Sequence, residues 1–193
     1  MKTIGIFGGT FDPIHTAHLI MAQDAAEFAN LDAVLIMPTA NPPLRANAPV
    51  ASANNRKEMA KNAIAGNSLF ELCTLDLESN GTNYSIDVVE KIAMAYPDAQ
   101  LYWILGADQI EQLDKWHRIE ELSQKISFLA LQRPGYSVDA GAIPDFCNVT
   151  FAPTHQFDIS ASEIRYRIQN SLNVKYFLPP EVFEYIKARS LYL

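Results

Sequence analysis

Residues 8–18 of the chain read Gly8-Gly9-Thr10-Phe11-Asp12-Pro13-Ile14-His15-Thr16-Ala17-His18. A short apolar run, Thr3 to Phe7, comes before them, and an alanine-rich segment with the composition of a helix, Leu19 to Phe28, comes after. This order predicts a strand, a glycine turn and a helix. In open α/β sheets, ligands bind just beyond the carboxyl ends of the strands, so the turn is the candidate binding site.

The residue types in this turn suit a phosphate ligand. Gly8 and Gly9 have no Cβ atom, so a ligand can approach their backbone N–H groups closely. Asp12 can accept hydrogen bonds from nearby backbone N–H groups. His15 and His18 are three residues apart and would share one face of a helical turn. Because a helix start also attracts anions, two imidazoles at this place can donate hydrogen bonds to phosphoryl oxygens.

Three other interpretations of the turn fit less well. The Walker motif requires a lysine after its last glycine, and none follows Gly9. The dinucleotide-binding fingerprint requires glycines at G-x-G-x-x-G spacing, whereas this segment has Gly5, Gly8 and Gly9. A zinc site requires three or four ligands, and both cysteines of the chain are isolated in sequence. We therefore expect no metal ligands from the protein at this turn.

The composition indicates one packed domain over residues 1–193. Hydrophobic residues make up 49% of the chain and charged residues 19%, which suits a core and argues against disorder. The net charge of −7 argues against a nucleic-acid binder that uses a basic face. Two cysteines without a disulfide framework indicate a reducing cytoplasm. We expect no signal peptide, and no run of about 18 apolar residues predicts a membrane span.

Segments that favour strands alternate with segments that favour helices along nearly the whole chain. The predicted strands are 3–7, 33–37, 70–77, 101–105, 126–131 and 148–152, and the predicted helices cover 19–28, 52–66, 120–125 and 180–189 and follow Ser85, Asp108 and Ser160. On the second of these helices, Arg56 and Lys57 are expected to be solvated. The alternation predicts an α/β fold with a Rossmann-like, doubly wound, mainly parallel sheet and helices on both faces.

A second informative stretch, Ile159-Ser160-Ala161-Ser162-Glu163-Ile164-Arg165, begins one of the helices. Ser160 and Glu163 match the capping-box pattern, which predicts a helix start whatever the function. The cap does not account for Ser162 and Arg165, which are three residues apart and share a face of the helix. Since a guanidinium fork suits phosphate geometry, these two side chains are candidate phosphate ligands.

Both stretches resemble signatures of the H-x-G-H nucleotidyltransferase superfamily. The first is closest to G-G-T-F-D-P-[IV]-H-x-G-H of the bacterial nicotinate-nucleotide adenylyltransferases, with Ala17 where that family usually has glycine. The second resembles the family's I-S-[SA]-[ST]-x-[IV]-R. The resemblance implies a nucleotidyltransferase fold, with His15, His18 and Arg165 as catalytic residues. The ATP-binding residues that it implies are Gly8, Gly9, Thr10, Phe11, His18, Gly106, Ile159, Ser160, Ser162 and Arg165.

Two loops in the middle of the chain resemble the same family and imply basic contacts with the acceptor substrate. The proline-rich segment that ends at Arg45 resembles P-x-x-x-P-P-H-[KR], in which the basic residue lies near substrate phosphates; Leu44 replaces the usual histidine. The segment Gln132-Arg133-Pro134-Gly135-Tyr136 resembles R-R-P-G-[YF], with Arg133 kept and Gln132 in place of the first arginine. The resemblance thus implies that Arg45 and Arg133 bind substrate.

The same resemblance implies a pocket for a pyridine ring. The segment at Ser85 resembles S-Y-T, whose backbone N–H groups bind the pyridine carboxylate, although an ordinary N-cap fits the sequence equally well. The segment from Gly106 to Trp116 resembles the family's G-A-D-x-x-x-x-x-x-x-W, which implies that Asp108 meets a ribose hydroxyl and that Trp116 stacks on the ring. A tryptophan at such a place more often belongs to a core. The backbone at His117 would add another donor.

The implied reaction joins ATP and nicotinate mononucleotide to give deamido-NAD and pyrophosphate in NAD biosynthesis. Mg²⁺ would accompany ATP, held mainly by phosphates, because it keeps several waters and takes few protein ligands. Two alternatives stay open. Pantetheine-phosphate adenylyltransferases share both end motifs but lack a segment like that around Trp116. A nucleotide-binding regulatory module without turnover is the other, and the joint presence of His15, His18 and Arg165 speaks against it.

Overall fold

The computed structural model of the protein describes residues 1–40, 48–78, 83–132 and 139–193. In chain order its elements are β1 (Thr3–Gly9), α1 (Thr16–Ala29), β2 (Ala33–Pro38), α2 (Ala53–Ala63), β3 (Phe70–Leu72), α3 (Ser85–Ala95), β4 (Gln100–Gly106), α4 (Ala107–Ile110), α5 (Ile119–Ser123), β5 (Ser127–Leu131), β6 (Val149–Ala152), α6 (Ala161–Gln169) and α7 (Pro180–Ala188). Short 3₁₀ turns cover Leu113–Lys115 and Ala140–Ala142. Within the described residues, no helix has the length and apolarity needed to cross a bilayer.

The six strands form one sheet in the order β3-β2-β1-β4-β5-β6, and every neighbouring pair is parallel. The central strand β1 pairs with β2 on one side and with β4 on the other, so that Ile6 lies opposite both Leu35 and Trp103. The chain therefore reverses its winding direction between β1 and β4. In such sheets the crevice at the reversal is where ligands bind. The predicted Rossmann-like α/β fold is confirmed.

Helices cover both faces of the sheet, and the four inner strands β1, β2, β4 and β5 contribute buried apolar side chains to both layers. One cluster of buried side chains includes Ala22 of α1, Met59 of α2, Ile164 of α6 and Ile186 of α7. The other includes Ile86 and Ile92 of α3 and Leu122 of α5. β2, whose residues are buried throughout, lies between the two layers. Continuous apolar strands of this kind are typical of parallel sheets that are covered on both faces.

The sheet packs closely around Gly5 in the middle of β1. A Cβ atom at this position would lie 2.6 Å from Leu31 Cδ1 and 2.7 Å from Ile104 Cδ1. Real Cβ atoms do not approach side-chain carbons so closely, so the absence of a side chain at Gly5 lets β1 seat between its neighbours. This packing fixes where the end of β1, and hence the turn after it, lies.

Several element boundaries differ from the sequence prediction, those of α1 and β3 among them. α1 begins at Thr16 rather than Leu19, because His15 serves as its N-cap. β3 ends at Leu72, although the sequence predicts a strand as far as Leu77. After β3 the chain turns instead, since the N–H groups of Leu77 and Glu78 both donate to the carbonyl of Thr74.

Candidate active site

The turn after β1 is fixed by a glycine and a buried aromatic ring. Phe11 adopts a positive φ of 49° and is 2% exposed. A Cβ atom at Gly9 would lie 2.7 Å from Phe11 Cε1, so a residue without a side chain is required there. The Phe11 ring in turn contacts the His18 ring edge to face, with centroids 5.0 Å apart. The glycine turn therefore positions one of the predicted catalytic side chains.

His15 and His18 form a stacked pair at the start of α1, as the spacing predicts. Their ring centroids are 3.6 Å apart with an interplanar angle of 23°. The His18 N–H donates to the His15 carbonyl at 2.9 Å, and the His15 N–H donates to His18 Nδ1 at 3.2 Å. Because His18 Nδ1 accepts, the proton of a neutral His18 is on Nε2.

The His15 imidazole is buried and neutral. It is 4% exposed, and burial lowers its pKa to about 4. Its Nδ1 atom has no hydrogen-bond partner among the described residues. A buried polar nitrogen without a hydrogen-bond partner destabilises a folded protein, so its presence calls for an explanation. A hydrogen bond to a bound ligand is one such explanation.

The helix start offers fewer donors than the sequence predicts. The Thr16 N–H donates to the carbonyl of Phe177 at 3.0 Å, and the His18 N–H is engaged by His15. Ala17, in the first turn of α1, is buried and helical, so alanine suits the backbone there. The side chains of the two histidines, rather than the whole helix end, thus form the distinctive polar part of this turn.

Asp12 is where four segments of the chain meet. Its side chain is 4% exposed, and its carboxylate accepts from Val50 N at 2.7 Å, Ala51 N at 3.1 Å and Tyr192 Oη at 2.7 Å. Its backbone carbonyl accepts from Arg165 Nη1 at 2.7 Å. The carboxylate that the sequence predicts to bind local N–H groups instead binds distant ones.

Arg165 joins the second sequence motif to the first. Its Nη1 atom lies 3.9 Å from Asp12 Oδ2, and its Nη2 atom donates to Ser162 Oγ at 3.1 Å. Ser160 caps α6, since its Oγ accepts from Glu163 N at 3.1 Å. The predicted helix start and the shared face of Ser162 and Arg165 are both confirmed. Half-buried Ile159 precedes the cap.

Arg56 is buried, so the prediction that it is solvated is wrong. It is 2% exposed, and its Nη1 atom donates to the carbonyls of Thr10 at 2.7 Å and Thr39 at 2.6 Å. Burial lowers the pKa of its guanidinium, and the nearby Asp12 carboxylate opposes that shift. The signal was present in α2, because Arg56 lies on the same helical face as the buried Met59 and Ala60. Lys57, with 36% of its side chain exposed, is solvated as predicted.

A cleft of about 610 Å³ opens beside the glycine turn, at the carboxyl edge of the sheet. Its lining includes seven of the predicted site residues, Gly8, Gly9, Thr10, Ser85, Asp108, Trp116 and His117. The lining among the described residues does not include Phe11, His15, His18, Gly106, Ile159, Ser160, Ser162 or Arg165. Predicted site residues Arg45 and Arg133 lie outside the described residues, as does Leu44.

The far end of the cleft is aromatic. Trp116 is half-buried and packs edge to face against Trp103 and Phe128, with ring centroids 5.7 Å and 6.2 Å away. It therefore belongs to the edge of the core and lines the cleft as well. The exposed His117 ring lies 4.1 Å from the ring of Tyr84, another lining residue.

Ser85 does not cap α3, contrary to the prediction. Tyr84 occupies the N-cap position, and Ser85 is the first residue of the helix, with its side chain at the cleft. The first N–H groups of an α-helix have no acceptor within the helix, which makes the start of α3 a candidate donor site at the cleft wall, although the Asp87 N–H already donates to the Tyr84 carbonyl at 3.0 Å. The Asp108 side chain lies close to Gly106, where a Cβ atom would be 2.5 Å from Asp108 Oδ1.

Several residues at the site were given no site role by the sequence, among them Thr39, Asp76, Tyr192 and Arg56. Asp76 is 7% exposed, its carboxylate accepts from the Ala40 N–H, and its carbonyl accepts from Asn83 Nδ2 at 2.9 Å. The sequence places it in a strand, whereas the turn after β3 carries it to the cleft.

Comparison with known proteins identifies the family. A family model described as cytidylyltransferase-like matches residues 6–167. The nicotinate-nucleotide adenylyltransferase of Bacillus subtilis (strain 168) is 38% identical over 192 residues, which cover 100% of this chain and 99% of that protein. The chain belongs to the nicotinate-nucleotide adenylyltransferase family. The recognition based on the two end motifs is therefore confirmed.

Solved structures share the fold. Two structures of the nicotinic acid mononucleotide adenylyltransferase of Plasmodium falciparum, one complexed with APC and one with NaAD, each match with a TM-score of 0.78. Each is 21% identical in sequence to this chain, and each match covers 100% of this chain and 98% of the Plasmodium chain. At this identity the likeness establishes the common architecture.

The buried His15 should make stability depend on pH. Its pKa is about 4 in the folded chain against 6.5 as the ordinary value, so the unfolded chain binds more protons between these pH values. The stabilisation is complete above pH 6.5 and is lost as the pH falls toward 4. Between about pH 7.5 and 5 this loss amounts to about 2 kcal/mol.

Urea unfolding at about pH 7.5 and at about pH 5 measures this loss in the free energy of unfolding. The His15→Gln variant should lack this part of the pH dependence, while the control His117→Gln, which changes an exposed imidazole, should keep it. A His15→Gln variant with the wild-type pH dependence would contradict the assignment.

The buried guanidinium of Arg56 should stabilise the fold through the loop carbonyls it binds. Arg56→Met leaves the Thr10 and Thr39 carbonyls without their donor, and we expect the free energy of unfolding to fall by about 2–3 kcal/mol. The matched control is Lys57→Met, one residue along α2 and partly exposed, which should change it by less than about 0.5 kcal/mol. Denaturant unfolding of both variants gives the comparison, and equal stabilities would refute the role.

Proposed function

We propose that this chain transfers the adenylyl group of ATP to nicotinate mononucleotide, giving deamido-NAD and pyrophosphate. The observation that carries the proposal is the cleft that runs from Gly8 and Gly9 to Trp116. One end has the glycine turn, which suits phosphate, and the other end has an aromatic ring and a helix start, which suit a ring with a carboxylate. Support comes also from the Bacillus subtilis relative, which is named for this activity.

The reaction needs no covalent enzyme intermediate. An oxygen of the acceptor's phosphate attacks the α-phosphorus of ATP, and the bond from that phosphorus to the bridging oxygen of the β-phosphate breaks. Pyrophosphate leaves with the bonding electrons. Catalysis then consists of positioning the two nucleotides in line and stabilising the charge that develops on the phosphoryl oxygens.

The chain's own side chains fit these two tasks. His15 and His18 would donate to the transferring and leaving phosphoryl groups, and a neutral imidazole such as His15 still carries one donor. Arg165 would bind the departing pyrophosphate together with Ser162. Two of the guanidinium nitrogens already hold Asp12 and Ser162, which orients the fork, and its further N–H groups can reach a phosphate.

Mg²⁺ is the proposed cofactor and would neutralise charge on the triphosphate. Among the described residues no group of three or more histidine, cysteine, aspartate and glutamate side chains could hold a metal ion. A Mg²⁺ ion carried mainly by substrate phosphates and water needs no such group. Cys73 and Cys147 are free thiols, which suits the reducing cytoplasm where we place the reaction. We assign the whole activity to one domain, residues 1–193.

The acceptor pocket should favour the acid over the amide. A carboxylate can accept from two backbone donors, whereas a carboxamide must turn its NH₂ toward one of them, and each mispaired buried group costs about 1–3 kcal/mol. We expect kcat/KM for nicotinate mononucleotide to exceed that for nicotinamide mononucleotide by roughly 10²–10⁴. Trp116→Ala should weaken both substrates alike, because stacking does not distinguish them.

A pyrophosphate-release assay with ATP and three acceptors provides the test. The acceptors are nicotinate mononucleotide, nicotinamide mononucleotide and phosphopantetheine. Turnover only with phosphopantetheine, or with none, would refute the proposed function. Equal efficiency with the two pyridine nucleotides would refute the donor pocket alone.

The guanidinium fork of Arg165 should matter beyond its charge. Arg165→Lys keeps the positive charge but loses the planar fork whose two nitrogens bind the Asp12 carbonyl and Ser162 Oγ, so kcat/KM for ATP should fall by at least about tenfold. The control is Arg167→Lys on the same helix, whose Nε atom donates to the Asn173 carbonyl at 3.1 Å. Steady-state kinetics at saturating Mg²⁺ compare the two, and full activity of Arg165→Lys would show that the fork is not needed for the reaction.

A further inference from the structure

The hydroxyl of Tyr192 reaches the candidate active site from beyond the last helix. The side chain is 6% exposed, and Oη donates to Asp12 Oδ1 at 2.7 Å across 180 positions of sequence. The Tyr192 Oη atom also lies 4.0 Å from Met59 Sδ. The remainder of the Tyr192 ring packs within the apolar cluster that includes α2 and α7. Its one polar atom is thus aimed at the carboxylate in the turn.

The backbone at Tyr192 is held in an unusual conformation. Its φ is +66°, in the left-handed region that bulky side chains seldom adopt. After α7 the chain turns back, with the Leu191 N–H donating to the Ile186 carbonyl at 3.1 Å. An unfavourable backbone angle persists only where other contacts outweigh it. Here the contacts are the buried ring and the hydrogen bond to Asp12.

The phenol is a permanent donor to this carboxylate. Burial, together with the hydrogen bond to Asp12, raises the pKa of Tyr192 above its ordinary value. The group therefore carries its proton throughout the physiological range. A neutral donor differs from the two arginines near Asp12, because it fixes the direction of one carboxylate oxygen without adding charge.

The position of Asp12 bears directly on the groups that would act on phosphate. The Asp12 carbonyl accepts from Arg165, and His15 follows three residues later in the same turn. A shift of Asp12 would therefore move the guanidinium and the stacked histidines together. Because misplacement of about 1 Å can cost roughly 10²-fold in rate, a bond that fixes Asp12 can control turnover without touching substrate.

We propose that Tyr192 is a positioning residue for adenylyl transfer, which acts through the Asp12 carboxylate on Arg165 and the histidine turn. The inference rests on the proposed function. It differs from a packing role for the end of α7, because packing uses the ring, whereas positioning uses the hydroxyl. The Tyr192→Phe variant separates the two, since it keeps the ring and removes the donor.

The chain offers a closely matched control. Tyr185, on α7, donates its hydroxyl to Asn55 Oδ1 of α2 at 3.0 Å, and this acceptor lies outside the turn after β1. Tyr185→Phe therefore removes one hydroxyl that ties the same region to the core. Both variants are to be assayed well below their thermal midpoints, with kcat and the KM for ATP measured separately.

We expect Tyr192→Phe to lower kcat by about 10- to 100-fold while the KM for ATP changes less than about threefold. Tyr185→Phe should change kcat less than about twofold, even if the two variants lose similar thermal stability. A Tyr192→Phe enzyme with wild-type kcat would overturn the inference, whatever its thermal midpoint. Wild-type protein without transfer to any acceptor would instead refute the proposed function, so the two failures are distinct.

A double-mutant comparison tests the route through Asp12. On the Asp12→Ala background the phenol has lost its acceptor, so adding Tyr192→Phe should lower kcat less than about twofold further. If the two losses multiply in full, Tyr192 acts by another path and the inference fails. Both outcomes are read from the same kinetic assay.

Discussion

The Asp12 carboxylate is buried at the end of a parallel sheet and therefore needs hydrogen-bond donors around it. The structure of the site depends on which donors these are. An unpaired buried charge is strongly unfavourable. Here the charge is met by two backbone N–H groups, a phenol and the guanidinium of Arg165 nearby. None of these donors is local in sequence. The electrostatic requirement of one side chain thus draws the segment before α2, helix α6 and the residues after α7 to a single point.

The sheet supplies the frame in which this convergence has a use. β1 is central, and the winding reverses beside it, so the turn that follows β1 faces the crevice between β1 and β4. Gly5 allows the close seating of β1, and Gly9 allows Phe11 to pack against His18. Arg56 donates to the carbonyls of Thr10 and Thr39, the residues that directly follow β1 and β2. The polar groups of the turn after β1 are therefore held by contacts with the core.

The sequence predicted what depends on short-range patterns. Apolar runs located the strands, and Ser160 with Glu163 located the start of α6, because both signals act between close neighbours. Arg56 was misjudged because composition suggests that arginine is solvated, and only the tertiary structure shows the carbonyls that it binds. Ser85 was assigned as a cap because of its residue type, although Tyr84 takes that position. Tyr192 could not be found at all, since its partner lies 180 positions away.

The long reach of these contacts also sets the order in which the site can be built during synthesis. A ribosome releases the glycine turn and both histidines first, while Arg165, Phe177 and Tyr192 have still to be made. Their contacts with Asp12 and Thr16 close only when those later residues arrive. Domains tend to fold as units once enough chain has emerged. A nascent chain that ends after β6 therefore carries the glycine turn without the partners that Asp12 has on α6 and after α7, and the complete set of contacts forms only once the residues after α7 have been made.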